Sequence, residues 1–221
     1  MRTVLRLKEN ARVSVLDPAG VEHHGLIDRY ERDRAVIRIE STAATTTRTR
    51  IILAAAIVKG PRMDFIVEKA AELGASELWP LVCARGLVRS PGAERLARWR
   101  RLALAAAKQS QSHPMEVRPP IGIDDLIRAV PSGTLAVRCA QGAQPFAEVI
   151  RRARPRGILI AVGPEGDFDD HEHATTAAAG FIAAGLGRNR LRSETAALAA
   201  VSIATGLLHD DQGSGEDAET K

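Results

Sequence analysis

Two glycine-bearing loops hold the residues best suited to chemistry. In the first, the unbroken apolar run Ile158–Val162 leads straight into Gly163, Pro164, Glu165 and Gly166. Glycine lets a backbone approach a ligand closely, and ligands of open α/β sheets gather at the carboxyl ends of strands. The same four residues also suit a plain tight turn. In the second, the short apolar segment Phe181–Ala184 leads into Gly185, Leu186, Gly187 and on to Ser193, and an alanine-rich stretch follows. Arg188, Arg190 and Arg192 crowd this loop, with Ser193 placed as the cap of the helix it opens. Cations at a helix N-terminus repel one another and the positive end of the dipole unless an anion lies among them. Neither loop has the glycine spacing of a dinucleotide fingerprint or a Walker phosphate loop. A ligand here would be held mainly through backbone groups and shape.

Both loops need strands to aim them. From Lys59 onward the chain alternates helical and strand-like segments. Pro61 opens a helix whose apolar face is Met63, Ile66, Val67, Ala70 and Leu73, and Gly74 is placed to end it. Ser76–Val82 reads as a strand, Ala93–Gln111 as a long helix, Thr134–Cys139 as a strand and Pro145–Arg152 as a helix. Asp169 and Glu172 form a capping-box pattern at the head of a helix over Asp170–Ala179, and a closing helix spans Glu194–Leu208. This alternation predicts an α/β domain with a largely parallel sheet over 59–209. Residues 1–58 read instead as a small β unit. Its short strands are Ala11–Leu16, Gly25–Ile27 and Ala35–Ile39, with turns at Asp17–Gly20 and in the charged stretch Asp28–Arg34. Glu40–Arg50 reads as a strand or a connecting loop. The polar, acidic residues 210–221 read as a disordered tail.

Composition narrows the partners. No run of eighteen apolar residues exists, so no membrane span is expected, and the start carries no apolar signal core. Cys83 and Cys139, far apart and in no metal pattern, suit ordinary buried thiols in a cytoplasmic protein. His171 and His173, two apart on a helix, point to different faces, and no metal is expected. The formal charge is +4, with arginine far ahead of lysine. That excess fits RNA phosphate, and it equally fits a high-GC genome. Four Phe, two Trp and one Tyr leave few platforms for stacking bases. Lys59 and Arg62, at the start of the first helix, are placed either to meet RNA phosphate or simply to be solvated.

Three motifs in series, Lys59–Gly74, Val162–Gly166 and Leu186–Ala196, resemble the bacterial 16S ribosomal-RNA uridine-N3 methyltransferase family of the SPOUT class. The resemblance runs from about Val4 to Leu208. It implies a SPOUT domain with a deep C-terminal trefoil knot, preceded by a PUA-like β-barrel that binds RNA, in a homodimer acting on 16S ribosomal RNA or the small subunit. It implies S-adenosylmethionine bound by Val162, Gly163, Pro164, Glu165 and Gly166, and by Leu186, Gly187, Asn189, Arg190, Leu191, Ser193 and Ala196, with a third wall near Val137–Cys139. Arg192 is the candidate for holding phosphate or a developing oxyanion. Glu194 is a candidate base that could equally orient an arginine or cap the helix. Lys59, Arg62 and Arg188 are the candidate RNA contacts. The chain departs from the family pattern in three places: a short N-terminus, the Ala107–Pro114 segment in which Gln109 alone matches, and Asp167 where glycine is usual. Action on another RNA base or on transfer RNA, and a non-catalytic role in ribosome assembly, stay open at this point.

Overall fold

The computed structural model describes residues 7–17, 21–32, 34–42, 49–87 and 91–209. The chain divides into two units, Met1–Arg48 and Thr49–Lys221. The expected tail, 210–221, lies outside the described residues, as do 43–48 of the ambiguous Glu40–Arg50 stretch and 18–20 of the expected Asp17–Gly20 turn.

In the first unit, β1 (Arg12–Leu16), β2 (Glu22–Glu31) and β3 (Arg34–Thr42) form an antiparallel sheet in that order. Gly25 is forced by proximity, because a Cβ there would lie 2.2 Å from the Arg38 carbonyl oxygen on β3. The charged stretch expected to be a turn is mostly strand. β2 continues through Glu31 and reverses at Arg32, whose φ is 42. Exposed strand faces accept charge freely, and Arg29 pairs there with Asp28 and Glu31.

The expected boundary after residue 58 falls instead after residue 48. β4 (Arg50–Ala56) belongs to the second unit, where it pairs in parallel with β5 (Glu77–Val82) and β9 (Gly157–Val162). Its residues Ile51–Ala56 are at most 2% exposed. A strand apolar on both faces is the mark of a covered parallel sheet rather than of a small one-sided β unit. The sheet order is β10-β8-β9-β4-β5-β6, with β8 (Leu135–Pro145), β10 (Ile182–Gly185), β6 (Glu116–Val117), and β7 (Ile121–Gly122) also against β5. Every pairing in this sheet is parallel.

The strands alternate residue by residue between two cores, as side chains on a pleat must. Ile51, Leu53, Ile158, Ile160 and Val162 face one core, which α1 (Pro61–Glu72), α2 (Gly92–Ser110), α4 (Phe146–Ala153) and α6 (Ser193–His209) complete. Ile52, Ala54, Leu159 and Ala161 face the other, with Leu126 of α3 (Ile123–Ala129) and Phe168 and Phe181, which flank α5 (Asp170–Ala178). The sequence expectations name none of β6, β7 and α3, although Ile123, Leu126 and Ile127 of α3 do follow helical spacing. Two-residue strands set among Pro114, Pro119 and Pro120 are too short to show a period.

α5 is fixed by the expected capping box. The Asp169 carboxylate accepts from the Glu172 N–H at 2.7 Å, and the Glu172 carboxylate accepts from the Asp169 N–H at 2.9 Å. The other Glu172 oxygen also accepts from the Ala84 N–H at 2.8 Å, tying α5 to the end of β5, and Glu172 is only 6% exposed. Replacing Asp169 by Ala should cost about 1 kcal/mol, the usual worth of a cap. Glu172→Ala leaves two backbone donors without partners and should cost about 2 kcal/mol or more. Urea denaturation of both variants checks this, and equal losses would mean the Ala84 contact contributes nothing.

Candidate active site

Three neighbouring strands deliver the site. β9 ends at Val162 and β10 at Gly185, and the two glycine loops begin there. Between them lies β8, whose pairing with β10 jumps. Ile182 and Ala183 pair with Val137 and Arg138, but Ala184 and Gly185 pair with Gln144 and Pro145. Residues 139–143 are therefore pushed out of the ladder, turning at Gly142 with φ 75. Gly185 permits this, since a Cβ there would lie 3.0 Å from the Ala143 carbonyl oxygen and 3.3 Å from that of Ala140.

A cavity opens where the three segments meet. Its walls are Val162–Glu165 and Asp167 from the first loop, Leu186, Gly187, Asn189, Arg190 and Leu191 from the second, Ser193 and Ala196 from α6, and Cys139–Gln141 from the β8 excursion. Val137 and Gly166 are the expected cofactor-wall residues that do not line it. Val137 is wholly buried in the core two residues before the strand leaves the ladder, and Gly166 turns outward against Arg85. The Arg85 Nη1 donates to the carbonyls of Gly166 and Phe168, each at 3.1 Å. Sequence reading missed Ala140 and Gln141, because an excursion inside a strand has no periodic signature. It noted Asp167 only as a departure from glycine. The backbone explains that glycine: Asp167 has φ 62, a left-handed conformation that asparagine and aspartate tolerate better than most residues.

The charges sort into paired and free. Arg62, expected at the RNA, reaches the first loop and the start of α6. Its Nη1 donates to the Glu165 carboxylate and lies 3.8 Å from Glu194 Oε2. Partial burial alone would raise the Glu165 carboxyl, but its own backbone N–H and the Arg62 guanidinium outweigh that and hold it below the usual carboxylate range. Arg190 closes the same corner by donating to the Glu165 carbonyl at 3.2 Å. Glu194 is 12% exposed, and its Oε2 accepts no hydrogen bond. It faces Arg62 and is not part of the cavity wall. Lys59, Arg188 and Arg192 are exposed, and among the described residues none of them forms an ion pair. Ser193 is not the helix cap. The Arg192 carbonyl accepts from the Ala196 N–H at 2.8 Å, so Arg192 caps and Ser193, 5% exposed, is the first helical residue.

The chemistry such a cavity offers is positional. Burial pushes the Cys139 thiol in its wall up to about 12 and the Cys83 thiol, beneath the sheet, higher still, so neither supplies a thiolate. Two glycines stand in the walls. Gly187 sits at φ 142, open to glycine alone, and a Cβ on Gly163 would meet the Phe168 ring at 3.1 Å. Exposed arginines stand in the loop beside it.

A family model described as "RNA methyltransferase domain" matches residues 45–205. The ribosomal RNA small subunit methyltransferase E of Mesomycoplasma hyopneumoniae is 30% identical over 154 residues, 68% of this chain and 67% of that protein. Its namesake in Synechocystis is 28% identical over 94% of this chain and 70% of its own length. The crystal structure of the corresponding protein from Neisseria gonorrhoeae, bound to S-adenosyl methionine, superposes with a TM-score of 0.79 at 32% identity, covering 93% of this chain and 87% of that one.

Proposed function

The chain belongs to the RNA methyltransferase domain family, and on that premise we propose that it transfers a methyl group from S-adenosylmethionine to N3 of a uridine in 16S ribosomal RNA. The observation that carries this reading is the cavity built from two strand ends and the β8 excursion, with glycine-bearing loops that hold no phosphate-binding motif. A neighbour of the same fold is bound to S-adenosyl methionine. The residues present fit that ligand: the Gly163–Glu165 turn, the Leu186–Leu191 loop and Cys139–Gln141 meet around one cavity, and Gly163 and Gly187 add no side chain to its walls.

S-adenosylmethionine, when bound, supplies a methyl group already activated on a sulfonium. The chain's part is to align the attack and exclude water. The Cys139–Gln141 wall, together with the two loops, encloses the cleft. Arg192, exposed at the head of α6, is assigned to the anionic side of the reaction, either RNA phosphate or the charge that develops as the uridine imide loses its proton. Glu194 is assigned to holding Arg62, the alternative role open to it from the sequence, because Arg62 faces it and the cavity does not. Arg62 then ties the first loop to the head of α6, and the remaining RNA contacts fall to Lys59 and Arg188. The deep trefoil knot, the PUA-like barrel around the three-stranded N-terminal sheet and a homodimer acting in the cytoplasm complete the proposal. The fold likeness over nearly the whole chain supports the knot and the barrel, and the homodimer and the cytoplasmic setting come from the family resemblance alone.

The test is incubation of the purified protein with labelled S-adenosylmethionine and small ribosomal subunits from a strain lacking the gene, followed by nucleoside mass spectrometry. New 3-methyluridine is expected. A different methylated nucleoside would move the reading to another base. Cofactor binding with no transfer to any subunit or transfer RNA would replace it with a non-catalytic RNA-binding role.

A further inference from the structure

We propose that Asp167 makes the cavity read the charge of its ligand, favouring the cationic sulfonium of the methyl donor over the neutral thioether of the demethylated product. The inference rests on the methyl-transfer reading above and adds a residue to it. Asp167 lines the cavity immediately after the Gly163–Gly166 turn. Its carboxylate is held rather than swinging, because Oδ1 accepts from the Phe168 N–H at 2.8 Å from a left-handed backbone. The side chain is 52% exposed and belongs to the cavity wall, so its charge acts on what the cavity holds.

Among the described residues no arginine or lysine forms an ion pair with it. Glu165, the second carboxylate of the wall, is occupied by Arg62. Arg190, also in the wall, donates to the Glu165 carbonyl. Asp167 Oδ2 has His173 Nε2 at 3.5 Å, a partner that is cationic only when protonated. Arg138 lies near enough to feel the Asp167 charge, but it is 8% exposed and forms no ion pair with it among the described residues. Asp167 is thus the wall carboxylate without an arginine or lysine pair. The methyl donor and the demethylated product share the adenosine, the amino group and the carboxylate. They differ in one methyl and one unit of positive charge at sulfur. A fixed carboxylate in the wall of a half-exposed site separates two such ligands by about three- to tenfold in affinity. The product competes with fresh donor less well by the same factor.

Calorimetry with S-adenosylmethionine and S-adenosylhomocysteine on the wild type, Asp167→Asn and Asp167→Gly measures this directly. Asparagine keeps the acceptor for the Phe168 N–H and tolerates the left-handed backbone, so the variant changes charge with little change of shape. Expected is a three- to tenfold weaker Kd for S-adenosylmethionine in Asp167→Asn, an unchanged Kd for S-adenosylhomocysteine, and the same collapse of the ratio in Asp167→Gly. Equal weakening of both ligands would overturn the proposal, because the carboxylate would then act on the parts the two share. Unchanged affinities would overturn it as well. A wild-type protein that binds neither ligand would sink the methyl-transfer reading itself, and that failure shows before any variant is compared.

Discussion

Gly163→Val should abolish measurable binding of S-adenosylmethionine, a loss of at least about 100-fold in affinity. The space beside Gly163 is already full. An ideal Cβ would sit 3.1 Å from both Cδ2 and Cε2 of Phe168 and 3.3 Å from the Phe168 backbone nitrogen. Valine adds two further carbons to that clash. Phe168 has no room to retreat, being wholly buried in the second core with His173 edge-on against it at 5.9 Å between ring centroids. The strain is relieved by moving the Gly163–Glu165 turn into the cavity, by displacing Phe168, or by both. Overpacking of this kind costs about 1–3 kcal/mol of stability, so the thermal midpoint should fall while the fold persists. Isothermal calorimetry beside a thermal melt separates the two effects. A folded variant with normal affinity would show that the cavity between the strand ends is not the cofactor site. Gly163→Ala, with the single Cβ, should fall between the two.

Much of the larger unit is legible in the sequence because its signals are local. The apolar run Ile158–Val162 is a strand buried on both faces, the Asp169–Glu172 pattern is a capping box, and Pro61 and Gly74 bracket α1. The two loops are found for the same reason, since glycines after an apolar run mark a turn locally, and it is the motifs in series rather than either turn alone that single them out. What the sequence does not display is set by tertiary contact. β4 carries the apolar residues of a central strand, yet only its hydrogen bonds to β5 and β9 take it from the N-terminal unit to the larger sheet. The third wall of the cavity depends on a register jump between β8 and β10, and a register belongs to a pair of strands rather than to either one. Arg62 illustrates the limit most clearly. A cation at a helix start reads as free for phosphate, and nothing local reveals that Glu165, about a hundred residues further on, is its partner.

Arg192→Ala should spare cofactor binding and lower methyl transfer by about 100- to 1000-fold, the usual effect of removing one donor from developing charge. Three arginines share the second loop, and the structure gives them different surroundings. Arg190 is drawn back to the Glu165 carbonyl at 3.2 Å. Arg188 is exposed farther from α6 and is expected to contribute salt-dependent attraction to RNA, so its loss should weaken RNA binding modestly and evenly. Arg192 is exposed at the helix cap, its own carbonyl engaged by Ala196 and its guanidinium without an ion pair among the described residues. A cation held at the positive end of a helix is destabilising unless an anion joins it, so the Ala variant should melt no lower than the wild type. Loss of rate with stability unchanged or raised would mark a group kept for its work on the substrate. Arg192→Lys restores the charge but not the planar fork, and a partial rescue would show that charge carries part of the effect. Single-turnover transfer at saturating S-adenosylmethionine reads the chemical step apart from cofactor affinity. An unchanged rate there would remove Arg192 from the mechanism and leave the developing charge to be met by another group of the cavity mouth.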